Sequence, residues 1–402
     1  MPLPIASLFL LPLIYLAFIS LGLPDGVLGV AWPAMRLSLK QPIEAAGLVT
    51  MVATGCSALS GFASGAVLKR FSAGSVVMAS GFMTGLALLG FAEVPGFALL
   101  LLLAVPLGLG AGAVDAAMNH FVARHYSARH MNWLHGCWGL GATLGPALMG
   151  VALAQAQAQA QAQPDAGGWR LGYQQIGFLQ ISLGVLFLVS LRLWRLAPAV
   201  VTPTAGGTGG VGGPERPAPR RLALWLAPLL FFLYAGVEVG TSLWAATVLV
   251  EQRQLDGATA GLWVSGFFAA IMGGRFATGL MSQRLGNRRL VRYGLVLAIG
   301  GAGLFSVGGL PAWISLTALV ALGLGCAPIY PSLMHEAAQR FDAATAQKVI
   351  GRQVGSAYLG CVLLPALLGW IGAAWGLALI MPLIAVTAAL LLWLTSALDN
   401  MT

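Results

Sequence analysis

Residues 105–110 have the sequence Val-Pro-Leu-Gly-Leu-Gly, and residues 320–325 repeat it as Val-Ala-Leu-Gly-Leu-Gly, 215 positions later. A second pair of stretches, Gly-Pro-Ala-Leu-Met-Gly at 145–150 and Leu-Pro-Ala-Leu-Leu-Gly at 364–369, recurs at an offset of 219. Two matches at nearly the same offset predict an internal repeat. The two halves of the chain are therefore expected to have the same fold.

The composition around these stretches excludes a soluble protein. Of the 402 residues, 58% are apolar and 8% are charged, the formal net charge is +9 and the mean hydropathy is +0.85. An ordinary soluble domain has about 25% charged residues, because polar side chains must cover its surface. A soluble enzyme, a nucleic-acid-binding protein and a disordered protein are excluded, and a membrane protein is predicted.

Twelve apolar runs are long enough for a spanning helix, which needs about 20 residues. Their approximate limits are 7–35, 43–68, 74–94, 97–123, 131–155, 173–196, 222–250, 258–282, 289–309, 312–338, 349–373 and 376–397. The first run is too long for the apolar core of a signal peptide and lacks a basic start, so it is predicted as the first spanning helix. The runs and the repeat predict an all-α membrane protein with twelve transmembrane helices in two six-helix halves.

Two connecting segments are unusual. Residues 198–221 are rich in Gly, Pro and Thr and are predicted as a flexible cytoplasmic linker between halves at 1–197 and 222–402. The Ala–Gln alternation from Ala154 to Gln163 is interpreted as a low-complexity loop. An extension of the fifth helix is the alternative, because Ala and Gln favour helix.

The basic residues predict the orientation of the chain. With both termini cytoplasmic, the inner loops hold sixteen Lys and Arg residues and the outer loops hold four. Cytoplasmic loops carry such an excess of Lys and Arg. We therefore expect a multi-pass protein of the inner (plasma) membrane with both termini cytoplasmic, and the net positive charge needs no nucleic-acid partner.

Three carboxylates interrupt the apolar runs: Asp25 in helix 1, Asp115 in helix 4 and Glu238 in helix 7. Ionisable groups inside a membrane are costly and mark functional sites. Desolvation disfavours the charged form of a carboxylate, so all three are candidates for proton coupling. Structural alternatives stay open: Asp25 caps a helix break made by Pro24 and Gly26, and the other two are satisfied structural carboxylates.

Other polar and aromatic groups on these helices are candidates for substrate binding. Asn119 lies one turn after Asp115, so the amide and the carboxylate share a helix face and can bind a polyol hydroxyl from two directions. A structural pair that bridges helices is the alternative. Tyr234 shares a face with Glu238 in the same way. Further candidates for binding a sugar ring or its hydroxyls are His135, Trp138, Tyr330, Gln353 and Tyr358.

Arg275 lies inside helix 8, roughly 13 Å from its cytoplasmic end at a rise of 1.5 Å per residue. A buried guanidinium needs a carboxylate partner, and three partners remain open: Asp115, Glu238 or a cluster of backbone carbonyls. Glu336 is interpreted as part of a salt bridge at the cytoplasmic rim. No metal-ligand spacing, catalytic arrangement or Walker-type phosphate loop is present, so we expect neither an enzyme nor a cofactor or metal.

The loop after helix 8 resembles the G-x-x-x-D-R-x-G-R-R motif of the major facilitator superfamily. The matching positions at this cytoplasmic gate are Gly279, Gln283, Arg284, Gly286 and Arg288, with glutamine in the acidic position. Twelve helices, a central linker and related halves are similar to this superfamily over the whole chain. The resemblance implies a transporter whose halves rock about a substrate site near the membrane midplane.

Within the superfamily, the Asp25 segment and Asp115-Ala-Ala-Met-Asn119-His-Phe resemble the fucose–galactose–proton symporter branch. That branch has an Asp in helix 1 and an E-T-A-A-N-P-F segment in helix 4. The spacing of Tyr234, Glu238 and Trp244 is similar to that of its sugar-transporting relatives, which implies a substrate contact for Trp244. The resemblance also implies that Asp25 and Asp115 are the proton-titrating and sugar-binding carboxylates.

These observations predict a secondary active transporter that moves a small polar solute, with a monosaccharide as the leading candidate, by proton symport as a monomer. Sodium is the alternative coupling ion. A proton-coupled multidrug or metabolite exporter of the same superfamily is the alternative function, because its cationic substrates could use the same carboxylates. A membrane receptor or scaffold would not need three carboxylates inside its helices.

Overall fold

The computed structural model describes residues 5–126, 128–159, 167–194 and 221–401. These residues form α-helices, one short 3-10 helix at Leu377–Leu379 and no strand. The α-helices are α1 (Ile5–Gly22), α2 (Val27–Ser38), α3 (Ala45–Arg70), α4 (Ala73–Glu93), α5 (Phe97–His125), α6 (Ala128–Gln159), α7 (Gly168–Val189), α8 (Leu191–Trp194), α9 (Arg221–Arg253), α10 (Gly257–Leu285), α11 (Asn287–Ser306), α12 (Ala312–Cys326), α13 (Ile329–Arg340), α14 (Ala343–Trp375) and α15 (Ile380–Asp399).

Within the described ranges, twelve helical stretches are long and apolar enough to cross a membrane. They coincide with the twelve predicted runs, so the all-α fold with twelve spanning helices is confirmed. The chain divides into two compact units, residues 1–27 with 52–215 and residues 28–51 with 216–402. The division into halves at 197 and 222 rests on the sequence repeat and stays a prediction, and residues 198–220 of the predicted linker lie outside the described part of the chain.

The first spanning helix is broken between α1 and α2. Pro24 has no backbone N–H, and Gly26 has a φ of 73°, a left-handed conformation that favours glycine. Turn hydrogen bonds replace helical ones here, because Asp25 N donates to Gly22 O at 3.0 Å and Val27 N donates to Pro24 O at 3.3 Å. The break indicated by the sequence is present, and it places Asp25 between two helix ends.

Two other sequence interpretations change. The Ala–Gln alternation is helical from Ala154 to Gln159, where α6 ends. The loop interpretation is therefore wrong for these residues. The helix propensities of Ala and Gln account for this extension. The tenth predicted run, 312–338, is two helices, because α12 ends at Cys326 and α13 begins at Ile329. Pro328 lies at this second break and has no N–H to continue the helix.

Glycines bring α1 and α6 into backbone contact within the first unit. A Cβ at Gly141 would lie 2.1 Å from Ile19 O, and a Cβ at Gly145 would lie 2.0 Å from Leu23 O. Small residues allow membrane helices to approach this closely. The contact holds α6 against the broken end of α1, and so positions Trp138 beside it.

We expect Gly145→Ala to destabilise the protein, because the added methyl group must push α1 away from α6. Overpacking of this kind typically costs about 1–3 kcal/mol, and the melting temperature in detergent should fall by several degrees. Gly300→Ala is the matched control, since a Cβ there meets nothing within 4 Å and alanine favours helix. Equal melting temperatures for the two variants would contradict the tight α1–α6 contact.

Candidate functional site

The first unit places Asp25 against an aromatic donor. Trp138 Nε1 on α6 donates to Asp25 Oδ2 at 2.7 Å. Both side chains are half-buried. A carboxyl oxygen accepts a hydrogen bond whether the group is ionised or protonated, so the indole N–H can hold Asp25 in place in both states.

Asp115 and Asn119 form the second polar pair of this unit. Asn119 Nδ2 donates to Asp115 Oδ1 at 2.9 Å across one turn of α5. The pair is half-buried, and the bond uses one carboxylate oxygen and one amide hydrogen. The second carboxylate oxygen, the amide oxygen and the second amide hydrogen give the pair further acceptors and a donor for a ligand.

His135 is exposed on α6, and its ring packs edge-on against Phe18 with the ring centroids 5.5 Å apart. It is the least buried of the candidates in the first unit.

The second unit brings Tyr234, Glu238 and Arg275 together. Arg275 Nη2 lies 3.5 Å from Glu238 Oε2, and 22% and 14% of the two side chains are exposed. The Tyr234 hydroxyl donates to the Glu238 carboxylate and also lies 3.1 Å from Cys326 O, at the end of α12. Glu238, one of the partners considered for Arg275, lies beside it.

This cluster can hold Glu238 with or without a proton. A phenol has one hydrogen to donate. Tyr234 can donate it to an ionised Glu238, or to Cys326 O when a protonated Glu238 donates to the phenol oxygen. The ring of Tyr330 packs beside that of Tyr234, with the ring centroids 6.2 Å apart.

Two of the other three candidates of the second unit are buried. Trp244 is fully buried, and its Nε1 donates to Pro365 O at 2.8 Å. Gln353 is buried on α14, and its Oε1 has no hydrogen-bond partner among the described residues. Tyr358 is half-buried on the same helix. The indole donor of Trp244 thus ties α9 to α14.

The residues that match the gate motif surround the junction of α10 and α11. Gly286 has a φ of 76° and separates the two helices. Gly279 and Arg284 are exposed on α10, whereas the side chain of Gln283 lies outside the described residues. Arg288 Nε donates to Glu336 Oε2 at 3.0 Å. Glu336 thus takes part in the salt bridge that the sequence indicated.

A second acid completes this network and was not predicted. Asp399, near the end of α15, accepts from Arg292 Nη2 at 2.6 Å and from Arg340. Arg340 Nη2 also lies 3.3 Å from Glu336 Oε2. Because Asp399 belongs to no motif, only its position at the end of the last apolar run could have suggested a role.

Sequence reasoning also missed Gln180, whose side-chain amide is buried between α1, α4 and α7. A polar side chain in an apolar run is the kind of signal that identified Asp25. A further missed pair is Arg36 with Glu251, which form a salt bridge in the second unit between α2 and α9.

Comparisons with known proteins agree with this architecture. A family model described as Major Facilitator Superfamily matches residues 14–351 and 226–399. No curated protein matches the sequence.

Solved structures resemble the whole chain. A bacterial homolog to the human lysosomal transporter Spinster, in an inward-facing and occupied conformation, has a TM-score of 0.79 at 14% identity and covers 100% of this chain and 98% of that one. The nucleoside transporter NupG has a TM-score of 0.72 at 14% identity, with 96% and 98% covered. A D-xylose-proton symporter has a TM-score of 0.71 at 14% identity, with 96% of both chains covered. At these identities the likeness establishes the fold alone.

Proposed function

The chain belongs to the Major Facilitator Superfamily and is a membrane transporter rather than an enzyme, and we propose that it carries a monosaccharide by proton symport. The observation that carries the proposal is the Asp115–Asn119 pair, joined at 2.9 Å and half-buried on a membrane helix. A neighbouring carboxylate and amide offer the mixed acceptors and donors that sugar hydroxyls require. The fold shared with a D-xylose-proton symporter supports this class of cargo.

Proton coupling is assigned to Asp25 and Glu238, with Asp115 as a third carboxylate. Asp25 has an indole donor, and Glu238 has a phenol that can change its acceptor. In either protonation state Asp25 can keep the hydrogen bond from the indole and Glu238 can keep a hydrogen bond with the phenol. Sodium is the alternative coupling ion, and replacing it with potassium at fixed pH tests that alternative.

The proposed setting is the inner (plasma) membrane, with both termini cytoplasmic and the protein acting as a monomer. This orientation is supported by the distribution of Lys and Arg, with sixteen in the inner loops and four in the outer loops. In the first unit, substrate binding is assigned to Asp115, Asn119, His135 and Trp138. In the second unit, it is assigned to Tyr234, Glu238 and Tyr330. The proposed substrate contacts of Trp244, Gln353 and Tyr358 come from the sequence.

The test measures how each hydroxyl of the sugar contributes to binding. Loss of one hydrogen bond to a buried partner costs about 1–3 kcal/mol, so a deoxy sugar that lacks a contacted hydroxyl should bind about ten-fold more weakly or worse. We expect D-galactose to raise the melting temperature of the purified protein, and one or two of its monodeoxy analogues to lose that effect. Asn119→Ala should reduce both the affinity and the discrimination between the sugars.

The same assay distinguishes the alternative exporter function. Trp133→Phe is the control for Asn119→Ala, because Trp133 is exposed and packs edge-on against Tyr15. It should leave sugar discrimination unchanged. If ethidium-like cations stabilise the protein strongly, while D-galactose, L-fucose and D-xylose have no effect at millimolar concentration, the exporter replaces the symporter.

A further inference from the structure

The proline at the break of the first spanning helix leaves one carbonyl without its helical donor. In an α-helix the N–H of residue i+4 donates to the carbonyl of residue i. The donor for Ser20 O would therefore be residue 24, which is Pro24 and has no N–H. Ser20 is buried, with 5% of its surface exposed, and a buried carbonyl without a donor is costly. A donor from elsewhere in the protein is needed.

Gln180 on α7 supplies that donor. Its Nε2 donates to Ser20 O at 3.0 Å, and Ser20 Oγ donates back to Gln180 Oε1 at 2.6 Å. The second hydrogen of Nε2 is directed to Thr84 Oγ1 on α4 at 3.2 Å. Gln180 is 1% exposed, so these bonds replace the water that its amide would otherwise bind.

We infer that Gln180 is a positioning residue for Asp25. Its amide takes the place of the N–H that Pro24 lacks, and so fixes the end of α1 from which the Asp25 carboxylate meets the Trp138 indole at 2.7 Å. Asp25 follows Ser20 by five residues, so a change in the direction of the Ser20 carbonyl changes the geometry of the break itself. The inference rests on the proposed role of Asp25 in proton coupling.

The chemistry of the contact explains why the residue is glutamine. Ser20 presents an acceptor on its backbone and a donor on its side chain, and a primary amide offers the complementary donor and acceptor side by side. An ionised glutamate lacks the donor. A methionine has a similar length but neither donates nor accepts strongly. Gln180→Met therefore removes the bond to the orphaned carbonyl while filling the same space.

The test is a double-mutant cycle between Gln180 and Pro24 on the full-length protein in lipid nanodiscs. In Gln180→Met, the backbone amides of residues 21–23 and 25–27 should exchange with deuterium about ten-fold faster or more. Pro24→Ala restores a backbone N–H that can reach Ser20 O within the helix. We therefore expect Gln180→Met to have little further effect in the Pro24→Ala background. Thr84→Val is the matched control: it removes the other partner of Nε2 but keeps the bond to Ser20 O, so its coupling to Pro24 should be much weaker than that of Gln180→Met.

A transport measurement separates positioning from a general loss of structure. In proteoliposomes, Gln180→Met should lower the pH-driven accumulation of D-galactose several-fold more than it lowers D-galactose counterflow, which needs no net proton movement. A loss of packing would lower both together. Additive effects of Gln180→Met and Pro24→Ala on exchange would overturn the inference, and so would equal losses of accumulation and counterflow.

The exchange cycle needs no substrate, so it is independent of the proposed cargo. If Asp25→Asn retains accumulation, the proton-coupling role fails even when the cycle shows coupling between Pro24 and Gln180. If D-galactose is not carried, the cycle still decides whether Gln180 replaces the missing donor.

Discussion

Asp25→Asn is expected to abolish the accumulation of D-galactose against its gradient while leaving counterflow measurable. The amide cannot take up and release a proton, yet its oxygen can still accept from Trp138 Nε1, which donates to Asp25 Oδ2 at 2.7 Å. The substitution therefore removes the proton site with little change of shape. The measurement is uptake into proteoliposomes with an imposed pH gradient, where the accumulation ratio should fall to about one, the value for passive equilibration.

The matched control makes the same chemical change outside the membrane-spanning segments. Asp256 is exposed and caps α10, where its Oδ1 accepts from Thr259 N at 2.9 Å. The Thr259 hydroxyl, which donates to Asp256 Oδ2 at 2.7 Å, and then the Thr259 backbone N–H hold the pKa of the Asp256 carboxyl below its usual value. Asparagine caps a helix nearly as well as aspartate, so Asp256→Asn should keep full accumulation. Accumulation that persists in Asp25→Asn would show that the coupling proton binds elsewhere, with Glu238 as the next candidate.

The fold was predictable because its strongest determinants are local in the sequence. An apolar run of the right length has few alternatives in a bilayer, since each backbone polar group must be satisfied within its own helix. The break at Asp25 was also local, because Pro24 and Gly26 act on their own backbone. The helical extension to Gln159 is a case in which local propensity was recognised but given too little weight.

The partners of the candidate residues were not predictable, because they come from distant parts of the chain. Trp138 lies 113 positions from Asp25, and Gln180 lies 160 positions from Ser20. Sequence identifies which groups are costly to bury, but it does not give the rotation of one helix against another. For this reason Asp25 was found and its contact with Trp138 was not.

The salt-bridge network of the second unit illustrates the same limit. Glu336 was expected to form an ion pair, and it does so with Arg288 at 3.0 Å. The superfamily motif directs attention to position 283, where this chain has glutamine. The negative charge that meets Arg340 and Arg292 comes instead from Asp399 on another helix. The motif directs attention to position 283, whereas the acids that contact these arginines are Asp399 and Glu336.

Removal of the Asp399 carboxylate is expected to have the largest effect on stability. The exposed fractions of the Asp399 and Arg340 side chains are 4% and 2%. Asp399→Asn would remove the carboxylate charge from beside the Arg340 guanidinium, which also lies 3.3 Å from Glu336 Oε2. A buried charge that loses its only partner costs about 3–5 kcal/mol, and because Glu336 still offsets part of the Arg340 charge, we expect a loss toward the lower end of that range. The melting temperature of the purified protein should fall markedly, and the yield of folded protein should fall with it.

Two further variants distinguish a buried charge from a general loss of packing. Arg292→Gln removes another partner of Asp399, but 46% of the Arg292 side chain is exposed, so its effect should stay within about 1 kcal/mol. The double variant Asp399→Asn with Arg340→Gln removes both buried charges and should be less destabilised than Asp399→Asn alone. If the double variant melts at a lower temperature than the single one, the cost comes from lost packing at the end of α15 rather than from a buried guanidinium that has lost a carboxylate partner.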